Sequence, residues 1–408
     1  MSTIGVLRQP QFRRVFLAQS VSTLGNNIAP IAVAFAVLDL RNSAVDLGLV
    51  LAARTLPMAI FMLVGGAWAD RLPRKNVMVV SDLVCLVSQG AFALLLIGHA
   101  PAIWALMLIQ AVNGAASAFF RPASSGLVQE AVPASDRQSA NALLSAAQNT
   151  SSIAGPAIAA ILIAFAGNAW ALGIDAATFG ISALFLARVV VAAREIPVRT
   201  GIGREIAEGF RAVIERRWLA LQIASFAEFQ LFILAAFSVI GPLISQKEYA
   251  GATTWAIVTS VTGVGALLGD AISLRYRPQR PLIASNLIGL LVVPLLIALA
   301  VGAPVWALVI GGLLFGVGMS VSNTLWFTVL QHNVPEHLMA RVSAFDWMGS
   351  MVLRPIGLAV IAPIAAIVGA APVLVVAGVA TVATFGGLLF SSSVRQLRGA
   401  NDETSPAA

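Results

Sequence analysis

Long apolar segments and short polar interruptions alternate along the whole 408-residue chain. An α-helix needs about 20 mostly apolar residues to cross the hydrocarbon core of a bilayer. Segments of that kind cover roughly 15–38, 47–69, 77–98, 102–128, 139–166, 168–191, 218–245, 252–275, 281–301, 303–331, 342–368 and 370–392. The pattern predicts an all-α membrane protein with twelve transmembrane helices, numbered here in chain order. A count of ten or eleven stays open if one segment lies flat on the membrane surface.

The polar interruptions divide these helices into two sets of six. The longest interruption, Arg194–Arg217, lies near the midpoint, and the spacing of its charged residues is typical of an amphipathic surface helix. We predict a six-helix bundle over 1–191, a cytoplasmic linker with a short amphipathic helix over 192–217, a second six-helix bundle over 218–392 and a cytoplasmic tail over 393–408.

The two halves also resemble each other in sequence. The residues at 128–133, VQEAVP, recur as LQHNVP at 330–335, an offset of 202 residues. The triplet GGA at 65–67 recurs as GDA at 269–271, an offset of 204 residues. Pseudo-symmetric six-helix halves are typical of transporters whose halves rock around a central site.

Composition and charge support a membrane protein of defined orientation. Only 11% of the residues are charged, whereas soluble domains carry about 25%. Of the 25 Lys and Arg residues, 20 lie on one side of the predicted membrane, and only Arg41 and Lys247 lie on the other. The positive-inside rule then predicts both termini in the cytoplasm of a plasma (inner) membrane protein. The net charge of +7 follows from this orientation and from contact with membrane lipids, so we expect no nucleic-acid partner.

One polar turn carries a charged motif between helices 2 and 3. Gly66, Asp70, Arg71, Arg74 and Lys75 follow the order Gly-x-x-x-Asp-Arg-x-x-Arg-Lys. This order resembles the loop signature of the major facilitator superfamily, which implies two pseudo-symmetric six-helix bundles and alternating access. The resemblance implies that the motif is a conformational latch, with the Asp70 carboxylate at the positive end of helix 11. The alternative is a topology signal made of positive-inside bases.

A second motif on helix 5 narrows the resemblance. Gly155-Pro156 is similar to the antiporter signature of the same superfamily, and several flanking phrases resemble the branch that exports macrolides, other drugs and siderophores. Gln110 on helix 4 stands where related exporters have an arginine linked to proton coupling. The resemblance therefore implies export, with a coupling route that differs from the usual one.

Charged residues inside the predicted helices are candidates for proton coupling, because each is costly in a bilayer. Glu228 on helix 7 lies near mid-depth with Arg354 on helix 11 at a similar depth, so we expect the two to pair. Burial of a carboxylate favours its protonated form, which suits proton binding and release. We expect Asp346 near the cytoplasmic mouth, solvated or bound to a loop base, and we interpret Arg121 on helix 4 as part of an inner gate.

Other polar groups are assigned to the substrate cavity or to packing. Helices 1, 4, 7 and 10 line the cavity in this superfamily. We therefore predict that the cavity is lined by Asn26, Asn27, Gln110, Asn113, Phe232, Asn323, Trp326 and Phe327. Asp82 and Asp175 lie on helices 3 and 6, outside the central pore, and we interpret both as polar packing. Gly265-x-x-x-Gly269 and Gly312-x-x-x-Gly316 are helix-packing motifs.

The sequence indicates a transporter and not an enzyme. It contains no catalytic constellation, and the lone Cys85 gives no cysteine-based metal site, so we expect no cofactor and no metal. It also has no nucleotide-binding loop, which favours an ion gradient as the energy source. We predict a monomeric exporter of amphipathic small molecules by proton antiport. The alternatives are a proton symporter or uniporter for a small metabolite, a lipid flippase, or a membrane receptor that transports nothing.

Overall fold

The computed structural model describes residues 3–69, 72–98, 101–190 and 202–397. Within these residues twelve helices are long and apolar enough to cross a membrane, which confirms the predicted number. In chain order, helices 1 to 12 are Pro10–Arg41, Ala44–Ala69, Arg74–Ile97, Ile103–Ala131, Arg137–Ala166, Asn168–Ala187, Arg217–Glu248, Ala252–Ser273, Pro281–Ala300, Val305–Asn333, the two segments Glu336–Met351 and Arg354–Val368, which we count together as helix 11, and Ala370–Phe390. A further helix, Ile202–Glu215, lies where we predicted the amphipathic helix of the linker.

The helices form two compact units. The N-terminal unit contains helices 1 to 6 together with residues 245–260, which are the end of helix 7 and the start of helix 8. The C-terminal unit contains the linker helix, the rest of helices 7 and 8, and helices 9 to 12.

Residues 245–260 are tied to helix 1 by a hydrogen-bonded carboxylate. Asp39 accepts hydrogen bonds from Gln246 Nε2 at 3.0 Å and from Asn168 Nδ2 at 2.7 Å. Between Ile28 and Leu38, every residue of helix 1 except Pro30 is buried. The last third of helix 1 is therefore a core element of the N-terminal unit.

The helices of the two units differ in regularity. Helices 1 to 6 are unbroken α-helices within their bounds. Helix 7 contains a π-helical turn at Gln230–Leu234, helix 9 a 3₁₀ turn at Leu290–Val292, and helix 11 a break at Val352–Leu353. Pro355 explains the third interruption, since proline lacks an amide hydrogen and disfavours helical geometry in the preceding residue.

Glycines allow the closest helix contacts in both units. Gly265 lies against Leu313, and Gly316 lies against Thr262, so a Cβ at either position would collide with the backbone of the other helix. This confirms the predicted packing role of these glycines, which join helices 8 and 10. Gly155 lies in the same way against Asn27.

Candidate functional site

The described bases of the loop motif hold the start of helix 3 against neighbouring helix ends. Arg74 Nη1 lies 3.0 Å from Glu130 Oε1, and the two side chains are 14% and 19% exposed. Lys75 Nζ donates to the backbone oxygen of Val189 at 3.1 Å, just beyond helix 6. These contacts connect helix 3 to the ends of helices 4 and 6.

Three other residues of the predicted latch and gate lie partly or wholly beyond the described parts. Asp70 and Arg71 are outside the described residues. Arg121 lies in helix 4, but its side chain is outside the described part of the structure. Gly66 lies in helix 2. The latch and the inner gate therefore stay predictions.

The antiporter motif packs helix 5 onto helix 1. Gly155 and Pro156 are buried, and Gly155 contacts the helix 1 backbone at Asn27. The amide groups of Asn26 and Asn27 donate to carbonyls of their own helix, at 2.9 and 2.8 Å. Arg54 of helix 2 donates to Asn26 Oδ1 at 3.4 Å, so Asn26 is also bonded to a second helix.

A polar cleft of about 420 Å³ lies between helices 1 and 5, and sequence reasoning missed it. Its lining is mostly amide and hydroxyl side chains, namely Gln19, Ser20, Thr23, Asn141, Ser145, Gln148 and Asn149, with Leu144 and Ala147. The four-residue spacing of Asn141, Ser145 and Asn149 is a helical stripe that could have revealed it. Amide and hydroxyl side chains of this kind can both donate and accept hydrogen bonds.

Gln110 and Asn113 are buried inside the N-terminal unit and do not lie on an exposed wall. Their exposed fractions are 1% and 0%. Gln110 Nε2 donates to Gln89 Oε1 at 3.3 Å, and Asn113 Nδ2 donates to Ser88 Oγ at 3.1 Å. This corrects the cavity position that we expected, because helix 3 binds the amide groups of both residues.

Glu228 faces a cleft of about 700 Å³ in the C-terminal unit. The cleft is lined by Arg217, Leu221, Ala224, Ser225 and Glu228 from helix 7, and by Thr384, Gly387, Leu388, Phe390, Ser391 and Ser392 from the end of helix 12 and beyond. Among the described residues, neither carboxylate oxygen of Glu228 has a hydrogen-bond partner. Phe232, a predicted cavity residue, lies one turn further along helix 7, in the partly buried π-helical turn.

The predicted pair of Glu228 with Arg354 does not form. Glu228 makes no ion pair with any described residue, whereas Arg354 begins the second segment of helix 11, after the break. Helix 11 instead contacts helix 7 by backbone packing of Gly357 against Leu231. Glu228 lines the cleft together with helix 12, and both of its carboxylate oxygens are buried there without a hydrogen-bond partner among the described residues.

Trp326 and Asp346 form a buried pair that corrects two expectations. Trp326 is 1% exposed, and its Nε1 donates to Asp346 Oδ2 at 3.1 Å. Trp218 and Phe226 pack edge-on against Trp326. Trp326 is therefore a core residue and not a cavity wall. Asp346, at 5% exposed, is neither solvated nor bound to a loop base.

The other two predicted residues of helix 10 have accessible side chains. Asn323 is exposed and Phe327 is partly exposed. They are four residues apart and so share a helix face. Phe327 also packs against the buried cluster that contains Trp326, so the two side chains lie at the edge of this core.

The chain is similar to known transporters over most of its length. The model of the family described as Major Facilitator Superfamily matches residues 15–358. The multidrug efflux pump Tap of Mycolicibacterium fortuitum is 26% identical over 368 residues, which cover 86% of this chain and 88% of Tap. The enterobactin exporter EntS of Escherichia coli O1:K1 / APEC is 26% identical over 373 residues, which cover 87% of each chain.

Solved transporter structures share the fold at low sequence identity. The nucleoside transporter NupG matches with a TM-score of 0.74 at 14% identity, over 92% of this chain and 98% of NupG. A POT family transporter in complex with 5-aminolevulinic acid matches with a TM-score of 0.75 at 11% identity, over 94% and 96% of the two chains. These matches confirm the predicted helical membrane fold, and the family match identifies the chain as a member of the Major Facilitator Superfamily.

Proposed function

We propose that this chain exports amphipathic small molecules across the plasma (inner) membrane by proton antiport. The observation that carries the proposal is Glu228, a carboxylate without a described partner that faces a cleft of drug-like size. Cavities of about 300–1,000 Å³ are typical of sites for small molecules. The direction of transport is supported by the similarity to Tap, a multidrug efflux pump, and to EntS, an enterobactin exporter.

The chemistry of the cleft supports exchange of a proton for a substrate. A carboxylate away from bulk water needs a counterpart, because an isolated charge in a low-dielectric site is costly. A proton and a cationic group of a substrate can each supply that counterpart, and they exclude one another. This competition at Glu228 is the physical requirement for antiport. Apolar Leu221 and Phe390 in the same cleft suit the apolar part of an amphipathic molecule.

Alternating access completes the mechanism. Both termini lie in the cytoplasm, as the distribution of 20 bases on one side of the membrane favours. The two bundles rock around the substrate, and the loop motif, including Asp70 and Arg74, acts as the latch between states. Substrate, protons and membrane lipids are the partners of the monomer.

Transport in inverted membrane vesicles tests the proposal. An inside-acid gradient is imposed, and accumulation is measured for macrolides, cationic dyes and siderophores. The wild type is compared with Glu228→Gln and with Glu248→Gln, a matched control at the exposed end of helix 7. We expect gradient-driven accumulation in the wild type and the control, and its loss in Glu228→Gln.

Two results would contradict the proposal at different levels. Undiminished gradient-driven transport by Glu228→Gln would remove Glu228 from the coupling mechanism. No movement of any compound by folded, inserted wild type would contradict export of this broad class of molecule.

A further inference from the structure

A cluster of buried polar side chains lies inside the N-terminal unit, whereas Glu228 belongs to the C-terminal unit. We call it the buried polar cluster, and it consists of Asp82, Ser88, Gln89, Gln110, Asn113 and Asp175. The two aspartates are each 1% exposed. Gln89 Nε2 donates to Asp175 Oδ2 at 2.8 Å, and Gln110 Nε2 donates to Gln89 Oε1 at 3.3 Å. The cluster therefore connects helices 3, 4 and 6.

The two carboxyl groups lie at different depths along one helix pair. Helices 3 and 6 are antiparallel neighbours, with Gln89 bonded to Asp175 and Asp82 beside Ser182. Asp82 and Gln89 are seven residues apart on helix 3, which corresponds to about 10 Å along the axis. The two carboxyl groups are therefore about 10 Å apart along the axis of the helix pair.

Several buried acceptors of the cluster lack a hydrogen-bond donor, although the Ser182 hydroxyl beside Asp82 is also without a partner among the described residues. Four buried oxygens lack a donor among the described residues: Asp82 Oδ2, Asp175 Oδ1, Gln110 Oε1 and Asn113 Oδ1. A carboxylate only accepts, but a protonated carboxyl group also donates one hydrogen bond. A proton on each aspartate would add one donor at each carboxyl group and would remove its unpaired charge. A buried acceptor without a donor is costly.

The charges around the cluster also favour protonated aspartates. Among the described residues, neither Asp82 nor Asp175 forms an ion pair. The other titratable groups facing the cluster are Arg54 from helix 2 and Cys85 from helix 3. Helix 4 contributes neutral side chains, and helix 1 contributes Gly25, against which Asp175 packs so closely that a Cβ would collide with its carboxyl group. One arginine cannot neutralise two carboxylates, and buried unpaired charges are expensive in a membrane.

We propose that the buried polar cluster is a second proton-binding site, in which Asp82 and Asp175 hold protons inside the N-terminal bundle. The site is independent of Glu228 and of the direction of transport. Gln89 is a positioning residue, because it fixes the Asp175 carboxyl group. The ligand is a proton, and a sodium ion is the alternative that the experiment must exclude.

Infrared spectroscopy of the full-length protein in lipid tests the proposal directly. The carbonyl stretch of protonated carboxyl groups is recorded at neutral pH for wild type, Asp82→Asn, Asp175→Asn and Asp46→Asn, the last being a control in the first turn of helix 2. We expect each cluster variant to lose one group from this band. We expect the control to match the wild type.

Two further measurements test the proposal even if an aspartate variant folds poorly. Wild type alone must show protonated carboxyl groups at neutral pH, and Gln89→Leu, which keeps both acids, must shift the pH at which one of them ionises. Absence of the band in wild type would overturn the proposal, and so would spectra of folded variants that equal the wild type. A band that forms only when sodium is removed would assign the site to sodium instead.

Discussion

The two bundles share a helix plan but differ in what they bury. The N-terminal bundle has unbroken helices and encloses two aspartates among amides with surplus acceptors. In the C-terminal bundle, helices 7, 9 and 11 are interrupted, and the amides of Gln222 and Asn286 bond to each other at 3.2 Å. The C-terminal bundle also buries an acid, Asp346. Its Oδ2 accepts a hydrogen bond from Trp326, and its Oδ1 has no partner among the described residues.

The two bundles have corresponding helices but different buried polar groups, which indicates that they have different functions. The offset of 204 residues between the halves matches Asp82 with Asn286, so an acid in one bundle corresponds to an amide in the other. Helix 12 carries no acid at all, whereas its counterpart helix 6 carries Asp175. We infer that the N-terminal bundle holds buried protonated acids in a rigid frame and that the C-terminal bundle provides helices that can bend, since π-helical turns are frequent at functional sites.

The largest expected effect comes from matched glycines that join corresponding helices. Gly155→Ala forces helix 5 away from unbroken helix 1, and we expect a loss of about 3 kcal/mol in unfolding free energy. Gly357→Ala meets the π-helical turn of helix 7, which can adjust, so about 1 kcal/mol is expected. Unfolding of both variants in detergent measures the difference.

The control for this pair is Gly180→Ala. Its added Cβ would lie 3.5 Å from Leu86 Cδ2, an ordinary contact. Its stability should equal or exceed that of the wild type, because alanine favours helix. Equal losses for Gly155→Ala and Gly357→Ala would remove the distinction between a rigid and a deformable bundle.

An intermediate effect is expected for Trp326→Phe. Phenylalanine keeps most of the ring contacts but removes the donor to Asp346, which leaves a buried acceptor unsatisfied at a cost of about 2 kcal/mol. Thermal unfolding of the variant measures this loss. Trp326→Phe combined with Asp346→Leu should recover part of it, and a double variant less stable than the single one would contradict the assigned hydrogen bond.

The smallest effect is expected at the Arg74–Glu130 ion pair. Both side chains are partly exposed, so a double-mutant cycle with Arg74→Ala and Glu130→Gln should give a coupling energy of about 1 kcal/mol. The coupling should fall as salt concentration rises, because salt screens exposed charges. A coupling that does not change with salt would mean that the pair is not the main interaction of these side chains.

The sequence was sufficient to predict features that depend on local patterns, namely the transmembrane helices and the glycine contacts between helices 8 and 10. Twelve apolar runs are twelve helices, and the glycines of helices 8 and 10 do face each other. Local patterns could not separate Trp326 from Phe327, since only tertiary packing decides which neighbour is buried. The turn at Gln230–Leu234 contains neither proline nor glycine, so its sequence gives no signal of an interruption.

The partners of buried polar residues were predicted least well, because they depend on the register between neighbouring helices. Asp175 and Gln89 are 86 residues apart, and their hydrogen bond exists only because helices 3 and 6 pair in one antiparallel register. We expected Glu228 and Arg354 to pair, but neither Glu228 oxygen has a partner among the described residues, because a linear sequence does not encode the direction in which a side chain leaves its helix.

The contact of residues 245–260 with helix 1 also constrains how the protein is made. The ribosome delivers helix 1 first, but the segment that includes Gln246, which donates to Asp39, follows roughly two hundred residues later. During synthesis, the N-terminal bundle therefore lacks the contact between helix 1 and residues 245–260 until helices 7 and 8 insert. We expect truncated chains that end in the linker to require help from chaperones or lipids, and fragments that extend through residue 260 to mature more independently.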